Sequence, residues 1–338
     1  MSGDALSDLL RSVRLRGAVF YYVEGDPPWV AEAPHVREII PAIMPGAEHM
    51  IEFHGVVEGT CWGAIAGEPG VRLDAGDVIM FPQGEPHVMS SDEGMRAPVQ
   101  KNDLFFSPRP KQLPYTLTMR GADCSFEHFN GRSTGPGSAT LACGFLGLDS
   151  RPFNPLLASL PRLLKIPGNP WVTTFLGSVV KEARARRPGG EAVLERMTEM
   201  LFVEALRRHV DSLPAEQAGW LAGTRDPAVG RALSLIHEKP AESWTVERLG
   251  EEAGLSRSSL HDRFVHFIGQ PPMQYLTQWR MQVASGRLRD TNATLVEVAL
   301  DVGYESEAAF SRAFKRVAGV SPGAWRKGKR ENSWMVKV

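Results

Sequence analysis

Val302-Gly303-Tyr304-Glu305-Ser306-Glu307-Ala308-Ala309-Phe310-Ser311-Arg312-Ala313-Phe314-Lys315-Arg316-Val317-Ala318-Gly319-Val320-Ser321-Pro322-Gly323-Ala324-Trp325-Arg326 is the second copy of an internal repeat. The period is about 50 residues. Leu260, Phe264, Gly269, Pro272 and Tyr275 align at one constant offset with Phe310, Phe314, Gly319, Pro322 and Trp325. Upstream the offset drops by one, so residues 253–256 stand against 302–306 and the second copy has a longer turn. Turns absorb an insertion that packed helices do not.

Each copy has the parts of a helix-turn-helix. Thr245 can cap a helix over residues 246–253, Gly254 supplies the positive φ that ends it, and Ser256 caps the next helix over 257–268. Thr294, Gly303 and Ser306 repeat those roles for helices over 295–302 and 307–318. Leu249, Leu255, Leu260, Phe264 and Phe267 can hold the first pair together, and Val298, Tyr304, Phe310 and Phe314 the second. Left facing outward are Arg257, Ser258, His261 and Asp262 in one copy and Glu307, Ala308, Ser311, Arg312 and Lys315 in the other. Arg can bond guanine and carboxylates can accept from cytosine, so these are the expected base-reading residues on double-stranded DNA. Residues 272–289 read as a spacer helix of roughly 25 Å at 1.5 Å per residue. Such a spacer suits two recognition helices set about one DNA turn, ~34 Å, apart. Arg280, Arg287, Arg289, Arg312, Lys315, Arg316, Arg326, Lys327, Lys329 and Arg330 are candidate phosphate partners.

The motif Gly303-Tyr304-Glu305-Ser306 followed by Phe310, Arg312, Phe314-Lys315, Gly319-Val320-Ser321-Pro322 and Trp325-Arg326 resembles the signature of AraC/XylS-type regulators. The resemblance covers about 100 residues and implies transcriptional regulation at promoters, with RNA polymerase as a partner. It implies recognition helices over 257–267 and 307–317.

Bulk properties agree with this division of labour. The 338 residues suggest two domains, and the net charge of -1 announces no nucleic-acid partner. Residues 225–338 nevertheless hold 17 Lys+Arg against 13 Asp+Glu, a net +4, while the rest holds 21 against 26, a net -5. That sign suits a basic reading domain behind an acidic one. Cys61, Cys124 and Cys143 are an odd set without zinc-finger or disulfide spacing. The N-terminus has no signal-peptide pattern, and no apolar run approaches the ~20 residues a membrane helix needs. The cytoplasm is the expected compartment, and no membrane association is expected.

From residue 18 to 119 the chain reads as short strands around 18–23, 39–44, 49–57, 60–66, 71–73, 78–81 and 115–119, suggesting a small barrel or sandwich. Residues 90–114 and 121–138 read as surface loops. Within the strands, Gly76-Asp77 and Pro82-Gln83-Gly84-Glu85-Pro86-His87 resemble the second cupin motif. The first motif is degraded. Glu52 lies seven residues before Gly59, and His49 is just upstream, but the His-x-His pair is missing and His54 falls off the pattern. His49, Glu52 and His87 have the residue types of an open metal site. The incomplete motif points instead to a barrel that keeps the fold without metal or cofactor. The stretch through Cys143-Gly144-Phe145 and Asn154-Pro155 resembles the cupin-type sensor of a subgroup of AraC-like regulators, some of which answer oxidants through cysteine. Cys143 sits in the apolar run 140–146, where a buried structural thiol is expected.

The expected fold class is α+β multidomain: a cupin-like sensor over 1–154, a helical extension and linker over 155–224, two helix-turn-helix units over 225–330, and a tail over 331–338. In the extension, Leu156, Leu157, Leu160, Leu163 and Leu164 have helical periodicity. A long helix over 191–210 carries Val193, Met197, Met200, Leu201 and Val203 as a stripe suited to packing or to a homodimer contact. Residues 212–225 read as linker. The expected function is a non-enzymatic promoter-binding regulator answering an unknown small-molecule effector or redox signal at His49, Glu52, His87 or Cys143. A cupin enzyme fused to a DNA-binding module is the competing reading.

Overall fold

The computed structural model describes residues 4–97, 115–125, 137–149, 152–185, 187–214 and 217–334. In chain order the elements are α1 (Ala5–Ser12), β1 (Arg16–Ala33), α2 (Val36–Ile43), β2 (His49–Ile65), β3 (Val71–Asp74), β4 (Val78–Phe81), β5 (His87–Ser90), β6 (Tyr115–Gly121), β7 (Asp123–Ser125), β8 (Ala139–Leu148), α3 (Pro155–Ser159), β9 (Leu164–Ile166), α4 (Pro170–Ala185), α5 (Gly190–Ser212), α6 (Trp220–Arg225), α7 (Pro227–Glu238), α8 (Val246–Ala253), α9 (Arg257–Ile268), α10 (Pro272–Asp290), α11 (Leu295–Asp301), α12 (Glu307–Ala318) and α13 (Pro322–Trp334). They form two compact units. Leu15–Leu148 with Leu160–His209 make the barrel unit; Met1–Arg14, Asp149–Ser159 and Val210–Val338 make the helical unit.

In the barrel unit two long strands do most of the closing. β1 pairs with β8 through residues 16–25 and with β5 through 30–33. β2 pairs with β8 through residues 49–59 and with β5 through 62–65, so β1, β8, β2 and β5 complete a hydrogen-bonded circuit. A register shift between Val56 and Glu58 bends β2 midway, as an extra residue in a strand does. Apolar side chains including Trp29, Met50, Phe81, Leu141 and Phe145 fill the interior. The expected separate strands at 49–57 and 60–66 are thus one bent strand.

Three local expectations are corrected. Residues 39–43 belong to helix α2, with Met44 as its cap, because Val36, Ile39 and Ile43 recur at helical spacing and all three are buried. Residues 160–164 do not continue a helix: α3 stops at Ser159 and β9 pairs with β4 through Val78–Ile166 and its neighbours. On α5 the buried face is Leu194, Thr198, Leu201, Phe202, Ala205 and Leu206. Of the expected stripe Leu201 lies on that face, Met197 and Val203 are half-buried beside it, and Val193 and Met200 are exposed. The expected loops fall largely on 98–114 and 126–136, outside the described residues.

The helical unit recruits chain from far upstream. α1, capped by Asp4 accepting from Ser7 N, buries Leu9 and Val13 and packs on α6, α7 and α10. Gln282 on α10 donates to Ser12 O at 3.1 Å and accepts from Phe153 N at 3.2 Å, and Arg289 pairs with Asp149. By their contacts α1 and α3 thus group with the helical unit. The expected linker over 212–225 also contributes core: Trp220 on α6 donates from its indole to Tyr275 Oη, which bonds His237 Nε2, both at 2.8 Å. α13 runs through Trp334 into the expected tail.

Candidate functional site

The two helix-turn-helix units are built by the local signals their sequence carries. Thr245 accepts from Arg248 N, Gly254 adopts φ +72°, and Ser256 accepts from Ser259 N. In the second copy Thr294 and Glu297 form a reciprocal capping box, Gly303 adopts φ +81°, and Ser306 accepts from Ala309 N. Leu249, Leu260, Phe264 and Phe267 are buried in the first copy, with Leu255 half-buried. Val298, Phe310, Phe314 and Trp325 pack together with α10 in the second. This core fixes which faces of α9 and α12 remain outward. Arg257, Ser258, His261 and Asp262 are all exposed, as are Glu307, Ala308, Arg312 and Lys315; Ser311 is half-buried.

The two faces differ electrostatically. Arg257 Nε lies 2.9 Å from Glu247 Oε1 across the turn, so this guanidinium has a built-in carboxylate partner. Among the described residues Arg312, Lys315 and Arg316 make no ion pair. Four expected phosphate partners have other work. Arg280 donates to the carbonyls of Pro240, Glu242 and Gly303 at 2.7, 2.9 and 3.3 Å, which ties the second turn to the loop before α8. Arg326 donates to the carbonyls of Leu288 and Ala293, Arg289 is held by Asp149 and Asp290, and Arg287 pairs with Asp301. Backbone carbonyls occupy Arg280 and Arg326 and carboxylates engage Arg287 and Arg289, which leaves these donors less to offer phosphate.

A second cluster lies inside the barrel. Glu52, His54, His87 and Cys143 are all buried. Glu52 and His54 are two residues apart on β2 and so share a face, while His54 and Cys143 are direct partners across the β2–β8 pairing. His54 Nδ1 lies 2.9 Å from Cys143 Sγ and its Nε2 2.9 Å from His87 Nε2. His87 Nδ1 donates to Glu85 O at 3.0 Å, and the ring stacks on Phe81 at 3.8 Å between centroids. Burial disfavours every charged form here. It pushes the Glu52 carboxyl up to about 8 and the Cys143 thiol well above its ordinary range. Burial likewise lowers His87 to about 4, and lowers His54 well below the usual imidazole value with help from His87. Cys143 is therefore a protonated thiol in this setting, and all three cysteines are free. Glu52, His54 and His87 bring their ligand atoms within 4.8 Å of one another and are the residues here that could hold a metal.

The structure brings Glu52, His87 and Cys143 together but not His49, whose Nε2 donates to Pro82 O at 2.7 Å. In its place stands His54, which the cupin spacing leaves out. The period-2 rule for strands was the available signal: Glu52-x-His54 places both groups on one face whatever the motif says.

Residues 4–211 match the model of a cupin family and residues 249–328 that of a helix-turn-helix domain. An AraC-like transcription regulator of Streptomyces lividans is 34% identical over 287 residues, spanning 83% of this chain and 88% of that protein. The chain belongs to the AraC-like transcription regulators. This AraC-like regulator is also 27% identical to the HTH-type transcriptional regulator AlkR of Acinetobacter baylyi, over 96% of its own length and 99% of AlkR. Among solved structures, the DNA-binding domain of AdpA, a global transcriptional factor in complex with a target DNA, is 31% identical over 31% of this chain and 95% of that chain, with a TM-score of 0.30. No helix of the described residues is long and apolar enough to cross a membrane.

Proposed function

We propose that this DNA-binding regulator recognises promoter DNA sequence-specifically through both helix-turn-helix units, α9 and α12 each entering a major groove. The observation that carries the reading is the pair of exposed faces on those helices, held by equivalent caps and turns at both. Arg257, Ser258, His261 and Asp262 would read one segment, and Glu307, Ala308, Ser311, Arg312 and Lys315 the next. α10, 19 residues long, gives a spacer of about 28 Å, comparable to one turn of duplex. The two heads carry different side chains, so the target is asymmetric. Control by a small-molecule effector or a redox event at the buried barrel cluster, action in the cytoplasm together with RNA polymerase, and pairing of two chains along the exposed side of α5 complete the proposal.

Footprinting of the full chain on promoter fragments at physiological ionic strength tests it. Two protected segments about 10 base pairs apart on one face of the duplex are expected, with protection falling steeply as salt rises. Uniform, sequence-indifferent protection would contradict the reading.

A further inference from the structure

Inside the barrel a carboxylate and two imidazoles converge from different strands. Glu52 Oε1 is 3.9 Å from His54 Nε2, Glu52 Oε2 is 3.7 Å from His87 Nε2, and the two Nε2 atoms are 2.9 Å apart. Tetrahedral bonds of about 2.0–2.1 Å put neighbouring ligand atoms roughly 3.3 Å apart, so the three observed edges bracket that spacing. All three side chains are more than nine-tenths buried, and Glu52 Oε2 has no hydrogen-bond partner.

The outer ring nitrogens decide what faces inward. His87 Nδ1 contacts the Glu85 carbonyl, which only accepts, so Nδ1 carries the proton and Nε2 of the neutral ring is a bare lone pair. When His54 Nδ1 donates to Cys143 Sγ, its Nε2 is bare as well. Two lone pairs and a carboxylate then face one point. The proton-only arrangement runs the other way: the Cys143 thiol donates to His54 Nδ1, and His54 Nε2–H donates to His87 Nε2. That satisfies both rings and leaves the buried Glu52 Oε2 unpaired, which is costly. A cation satisfies all three groups at once.

We propose that Glu52, His54 and His87 form a binding site for one divalent transition metal of the zinc and ferrous-iron class. Two imidazole nitrogens with one carboxylate select that class over magnesium or calcium. Cys143 and the Glu85 carbonyl are outer partners that fix the tautomer and orientation of the two rings, a common second layer around metal-bound histidine. Cys143 is not a ligand, since its sulfur lies on the Nδ1 side of the His54 ring, away from Nε2. Three protein ligands leave a fourth position open to water or an exogenous donor. The ligand set replaces the His-x-His of the cupin pattern by Glu52-x-His54, and so revises the expectation of a metal-free barrel. It stands independently of the DNA-binding reading.

The test uses the untagged full-length chain, stripped with a chelator and titrated with Co²⁺. One equivalent should bind with visible d–d absorption, without thiolate charge-transfer bands, and should be displaced by Zn²⁺. His54→Ala and His87→Ala should lose that equivalent, and His49→Ala should keep it. Cys143→Ala should bind about 10–100-fold more weakly. Zn²⁺ should also raise the melting temperature of the wild-type chain by mass action, and the near-isosteric Glu52→Gln, checked for native circular dichroism, should lose the shift. Less than one equivalent in the wild type, or binding that survives both histidine changes, would overturn the proposal.

Discussion

Gly254 and Gly303 occupy the same turn in the two helix-turn-helix copies, with φ of +72° and +81°, yet replacing each by alanine should have unequal effects. An alanine at either position pays about 1–2 kcal/mol for the left-handed backbone. Reduced freedom of the unfolded chain returns about 0.4–1 kcal/mol of that. At Gly254 nothing lies within 4 Å of an added Cβ, so the net cost is about 1 kcal/mol. At Gly303 the Cβ would meet Ala241 O at 2.6 Å, Ala241 Cα at 2.8 Å and Arg280 Nη2 at 2.8 Å. Backbone cannot step aside as a flexible side chain does, and Arg280 is itself bound to three carbonyls. Overpacking adds about 1–3 kcal/mol, which brings Gly303→Ala to roughly 2–4 kcal/mol. Hydrogen exchange read by mass spectrometry over residues 295–318 of the full chain is the assay. A difference of about 2 kcal/mol corresponds to roughly 30-fold faster exchange relative to the effect of Gly254→Ala on its own turn. Equal effects at the two glycines would refute the packing argument.

Three further outcomes are expected. Arg312→Ala should weaken binding to the target duplex by about 1–3 kcal/mol and relax preference at one or two base positions, as read by competition against single-base variants. Uniform weakening would make it a phosphate contact. Glu247→Ala releases Arg257 from an exposed, solvent-screened pair, so DNA affinity should rise by no more than a few-fold; a fall would mean that Glu247 aims Arg257 at its base. Asp226, buried at the start of α7, accepts from Ala228 N and Val229 N and pairs with Arg263. Its burial alone would raise the carboxyl, but those bonds outweigh it and hold the value below the ordinary range. Its contribution is therefore present above the unfolded carboxyl's pKa near ~3.9 and is lost as pH falls through the lower folded value. Asp226→Ala should cost about 1–2 kcal/mol in urea unfolding at pH 7 and progressively less below pH ~4; a gap that does not shrink as the pH is taken below ~4 would contradict this.

What was legible beforehand tracks sequence distance. The helix-turn-helix copies are specified by caps and glycines within three or four residues of one another, such as Thr245 with Arg248 and Thr294 with Glu297. Those contacts follow from local spacing alone. The barrel cluster depends on register: His54 and Cys143 are 89 residues apart and meet only because β2 pairs with β8 at that position. The same holds for α6, which looked like linker because Trp220 gains its partner Tyr275 from 55 residues away. Over residues 39–44 isoleucine favours a strand, while His35, an unusual cap, accepts from Arg37 N and starts α2 instead. The roles of Arg280 and Arg326 were invisible for a related reason, since a basic residue facing a backbone carbonyl and one facing solvent look the same in sequence.

The central claim is that one rigid helical unit carries two reading heads at a fixed separation. Inserting five base pairs between the two target segments rotates one by half a turn and tests this directly in equilibrium binding of the full chain. Affinity should fall to that of a duplex in which one segment is scrambled. Affinity unchanged by the insertion, or by scrambling either segment, would contradict the account.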